Sequence, residues 1–189
     1  MVGSLILVVG PSGVGKDSVI DGAKGQLETD LEVYFPRRYI TRARAAGGEN
    51  HIEVSDQVFT QMRDADQFCL HWRAHKLQYG LPAHIMDRLS MGQTVFVNGS
   101  RSILEIARQQ FSNLRIAHIT ASEESLRNRL DARGRETPED IEQRIQRSTA
   151  FKLAGDDVTE IDNSGSLERA VEQLIRLSQI PTTHIVLKA

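Results

Sequence analysis

The chain holds one cysteine in 189 residues, which excludes an intrachain disulfide and any paired-thiol zinc or redox motif. Cys69 is expected to be a small buried hydrophobe rather than a reactive thiol, and a reducing compartment fits best. Long apolar runs are also lacking. The first one, residues 5–9, has no basic flank and stops at Gly10, too short for a signal-peptide core or a membrane span. A soluble cytoplasmic protein with no membrane partner is the expectation. Nor is there much net charge: 23 Lys and Arg against 25 Asp and Glu leave -2, so there is no footprint for nucleic-acid binding and any anion site must be local. What is present, 40% hydrophobic and 25% charged residues over one domain's length, excludes disordered, collagen-like and coiled-coil classes.

Apolar runs of strand length recur at 5–9, 94–97 and 114–120, with a mixed candidate at 157–161. Helical spacing fills the intervals at 16–27, 83–91, 101–111, 122–133, 138–151 and 167–177, and Ser122, Thr137-Pro138 and Ser166 stand where helix starts need them. This alternation predicts an α/β fold, a parallel sheet with right-handed crossovers. Residues 37–81 break the rhythm. Short mixed segments around one helix at 55–64 predict an inserted, mostly antiparallel subdomain over the main sheet's edge, leaving residues 1–36 and 82–189 as the core. A further strand is read at 183–188.

The strongest chemical signal is Gly10-Pro11-Ser12-Gly13-Val14-Gly15-Lys16-Asp17-Ser18, between a predicted strand and a predicted helix. The spacing Gly-x4-Gly-Lys lets backbone N–H groups and the helix N-terminus face a phosphate chain while the lysine reaches its terminal phosphates. An ATP or GTP site follows. Asp17 stands where a hydroxyl residue usually holds Mg²⁺, with Ser18 one place later. It either binds the ion, directly or through water, or serves as a first-turn acid favoured by the helix dipole.

Four stretches resemble the guanylate-kinase-like branch of the nucleoside-monophosphate kinases, over nearly the whole chain: the loop at 10–16, Tyr39-Ile40-Thr41-Arg42, Gln78-Tyr79-Gly80, and Arg129-Leu130-Asp131-Ala132-Arg133-Gly134 with Arg144 downstream. The resemblance implies a three-layer P-loop NTPase fold. In that family the second stretch binds the acceptor's phosphate, the third closes over the acceptor, and the fourth is an arginine lid, here about 129–147. Arg42, Tyr79, Arg133 and Arg144 take those roles by position. The bland alternative is that Arg133, Arg135, Arg144 and Arg147 are solvated helix faces paired with Glu136, Glu139 and Glu142.

The departures from the family carry more information. Leu70 stands where the family has the glutamate that reads guanine, and Leu81 replaces the base-reading hydroxyl; His51 replaces an acceptor-site tyrosine and Asn98 an aspartate. Leucines at both reading positions would leave polar base edges without partners, so GMP is not the expected acceptor. The cations Arg37, Arg38, Arg42, Arg44, Arg73 and Lys76, with His51 and His75, suit a small anionic sugar phosphate. Together with Asp17-Ser18, Asn98-Gly99-Ser100-Arg101 and Asp162-Asn163-Ser164-Gly165, the pattern is similar to the ribose 1,5-bisphosphate phosphokinases of bacterial phosphonate breakdown. That similarity implies ATP and Mg²⁺ as cofactors, 5-phosphoribosyl 1-diphosphate as product, and Arg38, Arg42, Arg44, His51 and Tyr79 as acceptor-binding residues. A nucleoside-monophosphate kinase with unusual base contacts and a non-catalytic protein-binding module are the alternatives; the intact Gly15-Lys16 pair speaks against the second. Oligomeric state is open, a homodimer included.

Overall fold

The computed structural model describes residues 3–44, 49–74, 76–134, 137–149 and 153–179. The strand expected at 183–188 lies outside them. Strand β1 (Leu5–Val9) is five apolar residues, all buried, paired in parallel on both sides. Two-sided burial is why this run is continuous rather than alternating. Its odd residues Leu5, Leu7 and Val9 face one apolar cluster, while Ile6 and Val8 face the other, which includes Val19 and Ala23 of α1 (Lys16–Gln26) and Ala170, Val171 and Leu174 of α7 (Leu167–Gln179). Helices on both faces of one parallel sheet make the three layers.

The sheet has five strands. Around β1 lie β2 (Val33–Tyr34), β7 (Thr94–Asn98), β8 (Leu114–Thr120) and β9 (Val158–Asp162), in the order β2-β7-β1-β8-β9 with every pair parallel. β2 was not anticipated: two residues carry no legible period, and the strand exists because β7 offers it a paired edge. The segment expected as one helix at 101–111 begins as a 3₁₀ turn, Arg101–Ile103, before α4 (Leu104–Gln110).

The insertion forms a second sheet of β3 (Tyr39–Ile40), β4 (Ile52–Glu53), β5 (Phe68–Ala74) and β6 (Leu77–Pro82), ordered β4-β3-β6-β5. Both pairs that involve β6 are antiparallel and β3–β4 is parallel. Helix α2 (Asp56–Asp64) starts at Ser55, whose hydroxyl accepts from the Val58 N–H at 3.2 Å. Ile40, Leu70, Trp72, Tyr79 and Leu81 belong to the same apolar cluster as Leu5, Leu7 and Val9, together with Ile85 and Leu89 of α3 (Ile85–Ser90). The small sheet is thus anchored on a face of the main one through its apolar side.

Helices α5 (Glu123–Arg133) and α6 (Pro138–Thr149) pack on each other through a cluster of their own, Leu126, Leu130, Ile141 and Ile145. Ser122 caps α5 by accepting from the Ser125 N–H, and Thr137 caps α6 by accepting from the Asp140 N–H while its own hydroxyl donates to the Asp140 carboxylate. The Arg127–Glu142 pair is exposed and screened by solvent, so burial of the four aliphatics holds the pair of helices together.

Candidate active site

The carboxyl ends of β1, β7 and β9 meet at one edge of the main sheet, the edge where open parallel sheets place ligand sites. The loop leaving β1 turns into α1 at Gly15, which sits in left-handed conformation with φ of 93°. Any side chain there would also run into the Asn163 amide, 2.5 Å from an added Cβ. Gly13, also at φ 93°, lies against Leu130 of α5, so the loop is pressed between β9's end and α5.

Three side chains hold this loop. Asn163, buried just beyond β9, donates from Nδ2 to the Val14 carbonyl at 2.8 Å. Arg129 of α5 donates to the same carbonyl at 3.1 Å and to the Asn163 carbonyl at 2.6 Å. Arg144 of α6 donates to Ser12 Oγ at 2.9 Å. Arginines from both helices therefore reach the loop already. The Arg133 and Arg147 side chains, and Arg135 and His75 altogether, lie outside the described residues.

Lys16 curls back, its Nζ donating to the Gly10 and Pro11 carbonyls at 2.9 Å each. Its pKa falls from 10.5 to about 8, first through desolvation, against which Asp17 acts, with Arg38 and Arg101 lowering it further. Asp17 is exposed on the first turn of α1, and Ser18 beside it is exposed too. The Asp17 carboxyl is pushed up from its ordinary value by partial desolvation and then by the negative charge of Glu49. A single nitrogen, Asn98 Nδ2 at the end of β7, donates to Asp17 Oδ1 at 2.6 Å and to Glu49 Oε2 at 3.1 Å.

On the acceptor side, Arg38 is buried and makes a two-point pair with Glu49, Nε to Oε1 at 2.8 Å and Nη2 to Oε2. Its guanidinium lies 5.0 Å over the Tyr79 ring and 5.6 Å from that of Trp72, and the two rings stack 5.3 Å apart. Burial raises the Tyr79 pKa, with Arg38 and Arg42 opposing. His51 is fully buried and engages backbone on both sides, Nδ1 with the Glu49 carbonyl and Nε2 with the Arg42 carbonyl, each at 2.9 Å. It fixes the segments carrying Arg42 and Glu49 and presents no free edge to a ligand. Arg42 is half-buried, with an Nε that has no partner among the described residues. Arg44 and Arg37 are exposed at the rim.

Glu49 was missed by the sequence reading, although it is the sole acid between Arg37 and His51. Asn163, which the sequence offers as part of the family-like Asp162-Asn163-Ser164-Gly165 pattern, donates across the fold to Val14 and clamps the loop. Leu70 and Leu81 sit opposite each other on β5 and β6 and are buried at 3% and 0% exposure. Trp72 packs in the subdomain core, and Cys69 is half-buried with its thiol pushed up to about 11 by desolvation, an unreactive state.

The chain matches no protein-family model. Ribose 1,5-bisphosphate phosphokinase PhnN of Rhizobium etli is 46% identical over 175 residues, 93% of this chain and 89% of that one. The protein of the same name in Agrobacterium fabrum is 45% identical over 176 residues, 93% and 96% of the two chains. The chain belongs to the ribose 1,5-bisphosphate phosphokinase family. Among solved structures, a guanylate kinase from Anaplasma phagocytophilum superposes with a TM-score of 0.63 at 17% identity, covering 94% of this chain and 84% of the other. A gluconokinase from Sinorhizobium meliloti gives 0.51 at 20% identity, covering 94% of each. Both are likenesses of fold. No described helix is long and apolar enough to cross a membrane.

Proposed function

We propose that the protein transfers the terminal phosphoryl group of ATP to the C1 phosphate of ribose 1,5-bisphosphate, giving ADP and 5-phosphoribosyl 1-diphosphate, a reaction of phosphonate breakdown. The observation that carries this reading is the pair Leu70 and Leu81, apolar and buried opposite each other at the two positions that the resemblance to guanylate kinases assigns to base reading, in an insertion rich in arginine. Family membership at 46% identity over 93% of the chain supports it.

In the transfer, the bond between the γ-phosphorus and the β,γ-bridging oxygen breaks as a C1-phosphate oxygen bonds to that phosphorus. The acceptor oxygen is already ionised at neutral pH, so alignment and charge neutralisation do the work and no strong base is needed. Lys16 turns from the Gly10 and Pro11 carbonyls to the β- and γ-phosphates, exchanging two neutral acceptors for charged ones. Arg144 and Arg133 close on the transferring group, Arg144 from its place over Ser12. Arg38, Arg42 and Arg44 bind the acceptor's phosphates, Tyr79 backs Arg38, and His51 holds their segments in place. Residues 37–81 serve as the acceptor-binding subdomain and 129–147 as the lid, which excludes water that would otherwise hydrolyse ATP.

The residues fit a divalent cation. Asp17 offers a hard oxygen next to the Ser18 hydroxyl, and its crowding by the Glu49 carboxylate is relieved by positive charge. Asp17, with Ser18, would hold Mg²⁺, which neutralises the β- and γ-phosphates when bound. The test is coupled ADP release with MgATP, comparing ribose 1,5-bisphosphate, GMP, AMP and no acceptor, with Lys16→Ala as control. Turnover on the bisphosphate alone, abolished in the control, is the expected result; turnover on GMP overturns it.

A further inference from the structure

With no base to read, the polar features that distinguish the acceptor from other small bisphosphates are the two adjacent hydroxyls of its ribose ring. A phosphate-binding arginine does not recognise them: hydroxyls call for a carboxylate or amide oxygen held in place. One such group lies between the loop helix and the small sheet. A cavity of about 70 Å³ there is lined by Asp17, Lys24, Arg37, Arg38, Glu49 and Asn98 among others.

Glu49 is unusually well fixed within it. Its side chain is 15% exposed, both oxygens are engaged by the buried Arg38, and Oε2 also accepts from Asn98. A carboxylate has about four acceptor sites, so this arrangement leaves room for a further donor. Asn98 is fixed too. Its nitrogen faces two carboxylates, Asp17 and Glu49, which sets the amide orientation and leaves Oδ1 as an acceptor on the opposite side. Arg38, which the sequence assigns only to phosphate, is also the base on which Glu49 is mounted.

Building on the function proposed above, we infer that Glu49 and Asn98 recognise the ribose diol, making Glu49 the residue that sets sugar specificity while it positions Arg38 for phosphate. The pair turns a general anion pocket into one for a hydroxylated sugar phosphate. A hydroxyl donating to a partly buried carboxylate paired with an arginine contributes enough that its loss lowers kcat/KM by roughly ten- to a hundredfold.

The test uses the full chain with MgATP and three acceptors: ribose 1,5-bisphosphate and its 2-deoxy and 3-deoxy analogues. The parent protein is expected to lose at least about tenfold in kcat/KM on each analogue. In Glu49→Gln that penalty shrinks to under about threefold while KM for all three rises, because Arg38 loses its ionic partner. Glu49→Asp keeps a carboxylate and is expected to restore part of the discrimination. Trp72, the sole tryptophan and part of the ring stack under Arg38, reports by fluorescence that each variant is folded. An unchanged penalty in folded Glu49→Gln, or no penalty in the parent, overturns the inference and leaves the proposed function standing. Absence of turnover on ribose 1,5-bisphosphate by the parent overturns both.

Discussion

Replacing Leu70 by glutamate would give this chain the residue that the resemblance to guanylate kinases assigns to guanine reading, and the burial of this position makes loss of stability, rather than gain of GMP, the expected result. Leu70 is 3% exposed and faces Leu81, which is fully buried. Removing the leucine forfeits about 1.5–3 kcal/mol of apolar burial. The carboxyl that replaces it, even protonated, adds about 1–3 kcal/mol for want of a partner. The sum, about 3–6 kcal/mol, is a large share of the 5–15 kcal/mol typical of a whole domain. In urea, with a slope of about 2 kcal/mol per molar, the midpoint falls by about 2 M, read from the fluorescence of Trp72 on the same strand. Leu70→Met, which keeps volume and polarity, costs less than about 1.5 kcal/mol. A Leu70→Glu protein as stable as its parent and newly active on GMP would place this side chain in an open base pocket and refute the reasoning.

Lys16 makes two opposed pH dependences. Its folded pKa of about 8 lies below the ordinary 10.5, so between those values the unfolded chain binds more protons and the unliganded protein gains stability as pH rises. ATP needs the charged form, so its affinity falls above about pH 8, approaching tenfold per unit; urea midpoints and nucleotide titrations from pH 7.5 to 9.5 check both slopes, and Lys16→Met abolishes them. Gly15→Ala forces a side chain into left-handed backbone and against the Asn163 amide, costing about 1–2 kcal/mol in conformation before the loss of the clamp on Val14. Weakened ATP binding and a lowered melting temperature are expected; a neutral effect on both contradicts the clamp. Arg144→Ala, at a half-buried position from which the guanidinium donates to the loop's Ser12, lowers kcat by on the order of 10³, measured by turnover with thermal melts as the control for folding.

The features legible in the sequence are those whose signal is contiguous. The β1 run, the glycines and Lys16 of the loop, and the Ser122 and Thr137 caps each state their geometry within a few residues, and the structure places them accordingly. Glu49 was hidden because its partners, Arg38 and Asn98, lie eleven and forty-nine residues away and meet only when the small sheet docks on the main one. Asn163 stood in a quoted pattern, but its contact with the loop was hidden for the same reason: its bond to Val14 spans 149 residues. His51 was read by position as an acceptor contact, but burial turns it inward to two backbone carbonyls, a role no local pattern announces. β2 lacked any signal because two residues are shorter than one period of alternation.

The central claim, phosphoryl transfer to a phosphate of ribose 1,5-bisphosphate, is tested most directly by ³¹P NMR of a reaction of the protein with MgATP and that acceptor. The account predicts that the C1 phosphomonoester signal disappears as two mutually coupled diphosphate resonances and ADP appear in equal amounts, with the C5 phosphate untouched. Inorganic phosphate and ADP alone, or an unchanged C1 signal beside efficient conversion of GMP to GDP, would contradict it.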